Sequence, residues 1–342
     1  MNSSRLTILP LIVVLAVGCA EDQSLTAVGV DSNEGVAKME LSMSFDANAK
    51  AKSESETGLT DLQIRMEEIN QRLEEAGLAL RIQKAEISLA KNAQADAASI
   101  IFTNDRSLRL NTRWVPSDPR RAADGDNITY VVDQSFAAAN SSGGALNSEP
   151  AVDAAFATWD DLQCSNVDLV KRADTDPNPN FVLALFGLVD INTANPFAAD
   201  ITSTGFLPGF VFDLLAPGGS QFILGVTFTL IFVDGNGPTD IDGNGYADTG
   251  LKEIWYNNAF PWTDTGTGAD VDIETVAFHE NGHAMELDHF GKVHATFSPQ
   301  GGVLHVSPRA AMNAFILGTL REPLGTDNAA YCGIFGAWPT PH

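Results

Sequence analysis

His279-Glu280-Asn281-Gly282-His283-Ala284-Met285-Glu286-Leu287-Asp288-His289 is the stretch on which the reading of this chain turns. His279 and His283 are four residues apart, so on a helix both imidazoles leave the same face. Glu280 follows the first histidine and lies beside the same site. His289 comes six residues after His283, beyond the helix end, and joins the others only if the chain turns back sharply. Three neutral imidazoles leave one position of a tetrahedral zinc site open, which is the pattern of a catalytic metal. Zn²⁺ held by neutral ligands acidifies a water, and Glu280 is placed to take its proton and pass it to a leaving amine. The chemistry expected is metal-assisted hydrolysis of a peptide bond. Ordinary surface histidines are the alternative. It is disfavoured because four of the six histidines in the chain fall between 279 and 294.

Outward from this stretch, Val271 to about Met285 reads as a helix that Asp270 or Asp272 can cap. Ile128 to Val132, Val167 to Val170, Ile223 to Val233 and Ile254 to Tyr256 read as strands, the third from its β-branched and aromatic run. Ser148-Glu149-Pro150 starts a helix, with Pro where its missing N–H costs nothing. Val152, Ala155, Phe156, Trp159 and Leu162 form its apolar stripe. Residues 175–220 carry no clear pattern. Strand, helix, strands, helix in this order gives an α/β (α+β) catalytic domain on a twisted mixed sheet, over residues 114–342.

These elements carry a family resemblance. The histidine stretch resembles the zinc motif of the metzincin metallopeptidases, and Leu287-Asp288-His289 resembles the matrixin branch. In that family a methionine in a tight turn lies beneath the zinc. Met312, in Ser307-Pro308-Arg309-Ala310-Ala311-Met312-Asn313 and 23 residues after His289, is similar to it. Leu324 to Tyr331 resembles the family's final helix, and the helix of 150–162 its first. The resemblance implies a metzincin-like fold with an active-site helix, Met-turn and C-terminal helix, and zinc endopeptidase activity. Three positions depart from it. Glu286 stands where the family has Gly, at a turn where φ is often positive and a non-Gly residue is strained by roughly 1–2 kcal/mol. Phe290 stands where matrixins have Ser. The cysteine-bearing pro-segment switch has no counterpart, since no Cys lies between 20 and 163.

Asp240-Ile241-Asp242-Gly243-Asn244-Gly245-Tyr246-Ala247-Asp248 offers a second metal. Asp240, Asp242, Asn244 and Asp248 take positions 1, 3, 5 and 9 of a calcium loop with Gly at 6, although Leu251 replaces the usual Glu at 12. A structural Ca²⁺ is expected here, with an acidic surface turn as the alternative.

The N-terminal third is of another kind. Arg5 followed by the short apolar run Leu6 to Val17 reads as a signal peptide over residues 1–20. Ala16-Val17-Gly18-Cys19 resembles the lipobox of bacterial lipoproteins, which implies acylation of Cys19 and a membrane anchor. Plain cleavage after Ala20 is the alternative, and either route exports the chain. Cys164 and Cys332 are then expected to pair, tying the first long helix of the main domain to the C-terminus. Two buried free thiols are the other reading. Residues 21–58 read as a flexible linker. Residues 59–113 read as a small helix–strand unit: Leu62, Met66, Ile69, Leu73 and Ala76 mark one helix face, Gly77 a stop, and Leu78, Leu80 and Ile82 a strand. That unit is a pro-segment, a specificity module or part of the sheet.

Composition limits the function classes. The chain has 342 residues, 44% of them hydrophobic, and a formal net charge of −24. So acidic a chain has no basic face for a phosphate backbone, and nucleic acid is excluded as a partner. The expected partner is a protein or peptide substrate laid as an extended strand along a sheet edge, for which 223–233 is one candidate. A non-catalytic surface module that binds metal and peptide, or a calcium-dependent structural lipoprotein, are the other functions the sequence leaves open.

Overall fold

The computed structural model describes residues 37–41, 57–90, 109–122, 125–133, 138–174, 181–188, 197–298 and 301–340. The signal peptide and Cys19 lie outside them, as do residues 21–36 and 42–56 of the expected linker.

In chain order the elements begin with β1 (Ala37–Leu41), α1 (Thr57–Glu75), β2 (Leu80–Ala90), β3 (Thr112–Arg113), β4 (Ile128–Val132), β5 (Ala138–Ala139), β6 (Ala145–Leu146) and α2 (Glu149–Asp160). They continue with β7 (Leu169–Lys171), α3 (Phe181–Leu185), β8 (Ile201–Leu207), α4 (Gly209–Asp213), β9 (Ile223–Asp234), β10 (Gly237–Pro238), β11 (Ala247–Asn257), β12 (Trp262–Thr263) and β13 (Val271–Asp272). The last are α5 (Ile273–Ala284), β14 (Lys292–Ser298), β15 (Gly301–Ser307), β16 (Phe315–Ile316) and α6 (Gly325–Phe335).

The chain is a mixed α/β protein built on one large sheet with the strand order β16-β2-β9-β11-β8-β4-β7. β7, β4, β8 and β11 run parallel, and β9 runs antiparallel to β11. Alternation along the central strands sends apolar side chains to both faces, as a sheet covered on both sides requires. Ile254 and Tyr256 of β11 pack beneath α2, α5 and α6, with Phe156, Trp159, Val276, Phe278 and Tyr331. Trp255, between them, joins the opposite core with Phe228 of β9, Phe181 of α3, Phe212 of α4 and Ile69 and Leu73 of α1. A disulfide joins Cys164, just past α2, to Cys332 in α6.

The segment of 59–113 enters this sheet. α1 ends at a left-handed Gly77, and the N–H of Leu78 returns to the carbonyl of Leu73. β2 then runs beside β9 and belongs to the same sheet as the strands of 114–342. Its apolar positions change phase midway. Leu80 and Ile82 face the α1 core, and after a bulge between Ile82 and Lys84 so do Ala85, Ile87 and Leu89. The extra residue in the bulge shifts the alternation by one. Two expectations are corrected here. Within the expected linker, Ala37–Leu41 is a strand, antiparallel to β14 of the β14–β15 hairpin, where it supplies partners to an otherwise unpaired edge. And β9 is not an edge strand, because β2 covers the side away from β11.

Beneath α3, Glu253 of β11 is fully buried and accepts hydrogen bonds from the N–H of Val182 at 2.9 Å and the indole of Trp255 at 2.8 Å. Burial pushes its carboxyl up to about 8 despite these donors. A folded value above the ordinary 4.5 means that the folded chain keeps a proton the unfolded chain gives up. The stability this contributes is complete below the unfolded value and is lost as the pH rises through the folded one. The metal-free protein should therefore melt at a lower temperature at about pH 8.5 than at about pH 6.5, and Glu253→Gln should flatten that slope. Parallel slopes in circular-dichroism melts would refute the assignment.

Candidate metal centre

α5 begins at Asp272, whose carboxylate caps the helix by accepting the N–H of Thr275 at 3.0 Å. Two indoles hold the helix in place: Trp159 donates to the carbonyl of Phe278 and Trp114 to that of Ala284, each at 2.9 Å. A Cβ on Gly282 would meet the sulfur of Met312 at 2.3 Å, so the helix sits on Met312 only because this position is glycine. The turn bearing Met312 is pinned from α6, where the carboxylate of Asp327 accepts the N–H groups of Ala311 and Met312.

His279, His283 and His289 come together. Their Nε2 atoms lie 3.1, 3.1 and 3.2 Å from one another. The Nδ1 of His279 donates to the carbonyl of Ala311 at 2.7 Å, and that of His283 to the carbonyl of Leu287 at 2.8 Å. These bonds place the ring protons on Nδ1 and leave the Nε2 lone pairs of both rings facing inward. Burial lowers His279 to about 4 and depresses His283 and His289, so all three rings are neutral at pH 7. Unprotonated nitrogens crowded this closely repel unless a cation lies among them. Three atoms so spaced leave a point about 2.0–2.1 Å from each, the Zn–N distance. The residues fit zinc.

Glu280, the neighbour of His279 on α5, is fully buried. Thr227 of β9 donates to its Oε2 at 2.7 Å, and Ser88 of β2 also hydrogen-bonds the carboxylate. Burial pushes its carboxyl up to about 8, against the opposite pull of Ser88 and Thr227. Gly225 makes room for it, since a Cβ there would sit 2.7 Å from Oε1.

Glu286 explains how His289 returns to the other two histidines. It has φ +64°, the left-handed conformation expected of the glycine it replaces. Its carboxylate is fully buried and bonded to the hydroxyls of Thr112 and Thr249 and, at 3.2 Å, to the ammonium of Lys252. The N–H of Leu110 donates to its carbonyl. The turn that would be strained is thus held by a buried ion pair. Next along the chain, Asp288 accepts the N–H of His289 and pairs with Lys84 of β2 at 2.9 Å. Lys84 also pairs with Glu86 at 2.7 Å. Flanking carboxylates raise the ammonium of Lys84 although burial opposes them, whereas burial pushes Glu86 up to about 7.

Lys84, Glu86, Ser88, Gly225, Thr227, Lys252 and Asp327 are the site residues that sequence reasoning missed. The available signal was charge inside the apolar runs around Lys84 and Lys252, a pattern a solvent-facing strand position shows equally well. In the 240–248 loop, carboxylate oxygens of Asp240, Asp242 and Asp248 lie within 4.8 Å of one another. Asn244 does not bring its oxygen to them: its Oδ1 accepts the N–H of Tyr246, and its amide nitrogen faces Asp242. Asp248 is engaged by Arg120 at 2.7 Å and by the hydroxyl of Thr239 at 2.6 Å.

No protein-family model matches the chain, and no curated protein matches it.

Glu286→Gly relieves roughly 1–2 kcal/mol of backbone strain but strands Lys252 in the interior, a loss of about 3–5 kcal/mol. The variant should be less stable by about 2–3 kcal/mol in urea titrations, and adding Lys252→Met should restore most of this. A Glu286→Gly protein as stable as the parent would show that the ion pair does not hold the turn.

Proposed function

We propose that the chain is an exported zinc-dependent endopeptidase of metzincin-like type, anchored to a membrane through Cys19. The observation that carries the reading is the convergence of the three Nε2 atoms, with Glu280 next to His279 on the same helix. His279, His283 and His289 would hold the metal. Zinc bound there supplies a Lewis acid that acidifies water and polarises a carbonyl. Glu280 is the base: Oε1 receives the proton of the attacking water and returns it to the departing amine. Thr227 fixes the other carboxylate oxygen, so the carboxylate keeps one orientation through both transfers. The bonds to Ala311 and Leu287 keep two rings from turning away. Beyond Ala90, a cleft of about 390 Å³ lined in part by Leu224, Thr275 and Ile316 would take an apolar substrate side chain.

The test is hydrolysis of quenched fluorescent peptides by the purified chain, intact and after mild proteolytic nicking. Activity should disappear with a chelator and in Glu280→Gln, which should still hold one zinc per chain. Zinc bound with no hydrolysis in either form would favour a metal-holding surface protein without turnover, the reading that the full burial of Glu280 supports.

We also propose a structural calcium in the 240–248 loop. Arg120 occupies Asp248, which leaves Asp240 and Asp242 as the carboxylates open to a cation. Calcium should raise the melting temperature of the parent and not of Asp242→Asn. Equal shifts in the two proteins would remove this loop as the site.

A further inference from the structure

An extended peptide offered to the metal needs a strand edge beside Glu280. The strand beside Glu280 is β9, through Gly225 and Thr227, and the side of it away from β11 is the edge such a peptide would use. That edge is taken. β2 runs along it antiparallel, from Leu80 opposite Phe232 to Leu89 opposite Ile223. On its other side β2 meets β16 in parallel, with Leu89 opposite Phe315 and Ala90 opposite Ile316. β16 starts three residues after Met312. β2 therefore lies between the two walls that flank the metal-bearing end of α5.

The fit is closest at Ser88. It pairs with Gly225, the residue that abuts Glu280, and it hydrogen-bonds the Glu280 carboxylate itself. To be hydrolysed, a peptide bond must bring its carbonyl to the metal with a water between it and Glu280 Oε1. With β2 in place, Glu280 is fully buried.

Two kinds of contact hold β2 down. Its apolar face, Ile82, Ala85, Ile87 and Leu89, is buried in the core beneath α1. Its polar face, Lys84, Glu86 and Ser88, is turned toward the metal centre. Lys84 bonds Asp288, whose next residue is the third ligand, so the strand is latched to the ligand loop itself. A strand that only completed a core would have no need of a buried cation aimed at that loop.

The geometry points to β2 as an intramolecular occupant of the substrate channel, so that the full chain is latent and hydrolysis requires residues 80–90 to leave. The meaning of this inference rests on the hydrolase reading; its test does not. The full chain is loaded with Co²⁺, and acetohydroxamate, a small chelating probe, is titrated while the visible absorption of the metal is followed. The intact chain should show no spectral change. Lys84→Met unlatches the strand, and Ser88→Trp forces a side chain too large for the space beside Gly225. Both variants should gain the spectral change, and with zinc they should cleave quenched peptides ~10-fold or more faster than the intact chain, as expected when the open state is a minor population. A spectral change in the intact chain equal to that of the variants overturns the inference. So does a variant that binds Co²⁺ and stays closed to the probe. The titration of the intact chain needs no variant, so a misfolded variant leaves the inference open to refutation. Variants that open to the probe without cleaving any peptide uphold latency and remove the hydrolase reading instead.

Discussion

Helical geometry brings two imidazoles to one face without further help; the third depends on a reversal of the chain within six residues. That reversal is the constraint on which the site rests. Glycine would permit it because it has no Cβ to clash at positive φ. Here a glutamate adopts the left-handed conformation, and its carboxylate is fixed from three sides by Thr112, Thr249 and Lys252. The turn is thereby determined by tertiary contacts rather than by local freedom. Because β3 and β11 supply those contacts, the position of His289 is set by strands far from it in sequence.

The same logic extends to the buried charges under the end of α5. Lys84 and Lys252 both lie near Thr229 in the sheet, opposite it in the strands on either side. Around them are Glu86, Glu286 and Asp288, all buried. Such a cluster costs desolvation and returns specificity, since any shift of α5 along the sheet would leave a charge unpaired. It also makes the N-terminal strand and the ligand loop one electrostatic unit. Of the readings open for 59–113, membership of the sheet is the one seen, and for this reason: its charges have their partners inside the domain that follows.

Much of the site was legible in the sequence because its signals are local. The i, i+4 histidines, the Asp272 cap and the β-branched run of β9 each follow from neighbouring residues. What could not be read depended on pairing across long separations. The alternation of Leu80 and Ile82 breaks at Gln83, and without knowledge of the bulge the continuation through Leu89 has the wrong phase. Lys252 stands among Leu251, Ile254 and Trp255 as a solvent-facing lysine would, and only its fully buried surroundings reveal otherwise. Residues 201–207 contain a parallel strand, but a positive φ at Gly205 and short polar residues hide its period. Asn244 was placed by its loop position, yet the amide turns its oxygen to its own backbone neighbour.

The link between Cys164 and Cys332 has a topological consequence. The three clustered histidines, Glu280, Met312, β9 and β11 all lie in the 168-residue interval that it closes into a ring. Surface loops are where proteolytic cuts fall. A single cut anywhere within that ring separates no fragment, because both new ends stay covalently attached through the sulfurs. The chemistry-bearing half of the molecule can thus be nicked once and still remain one piece.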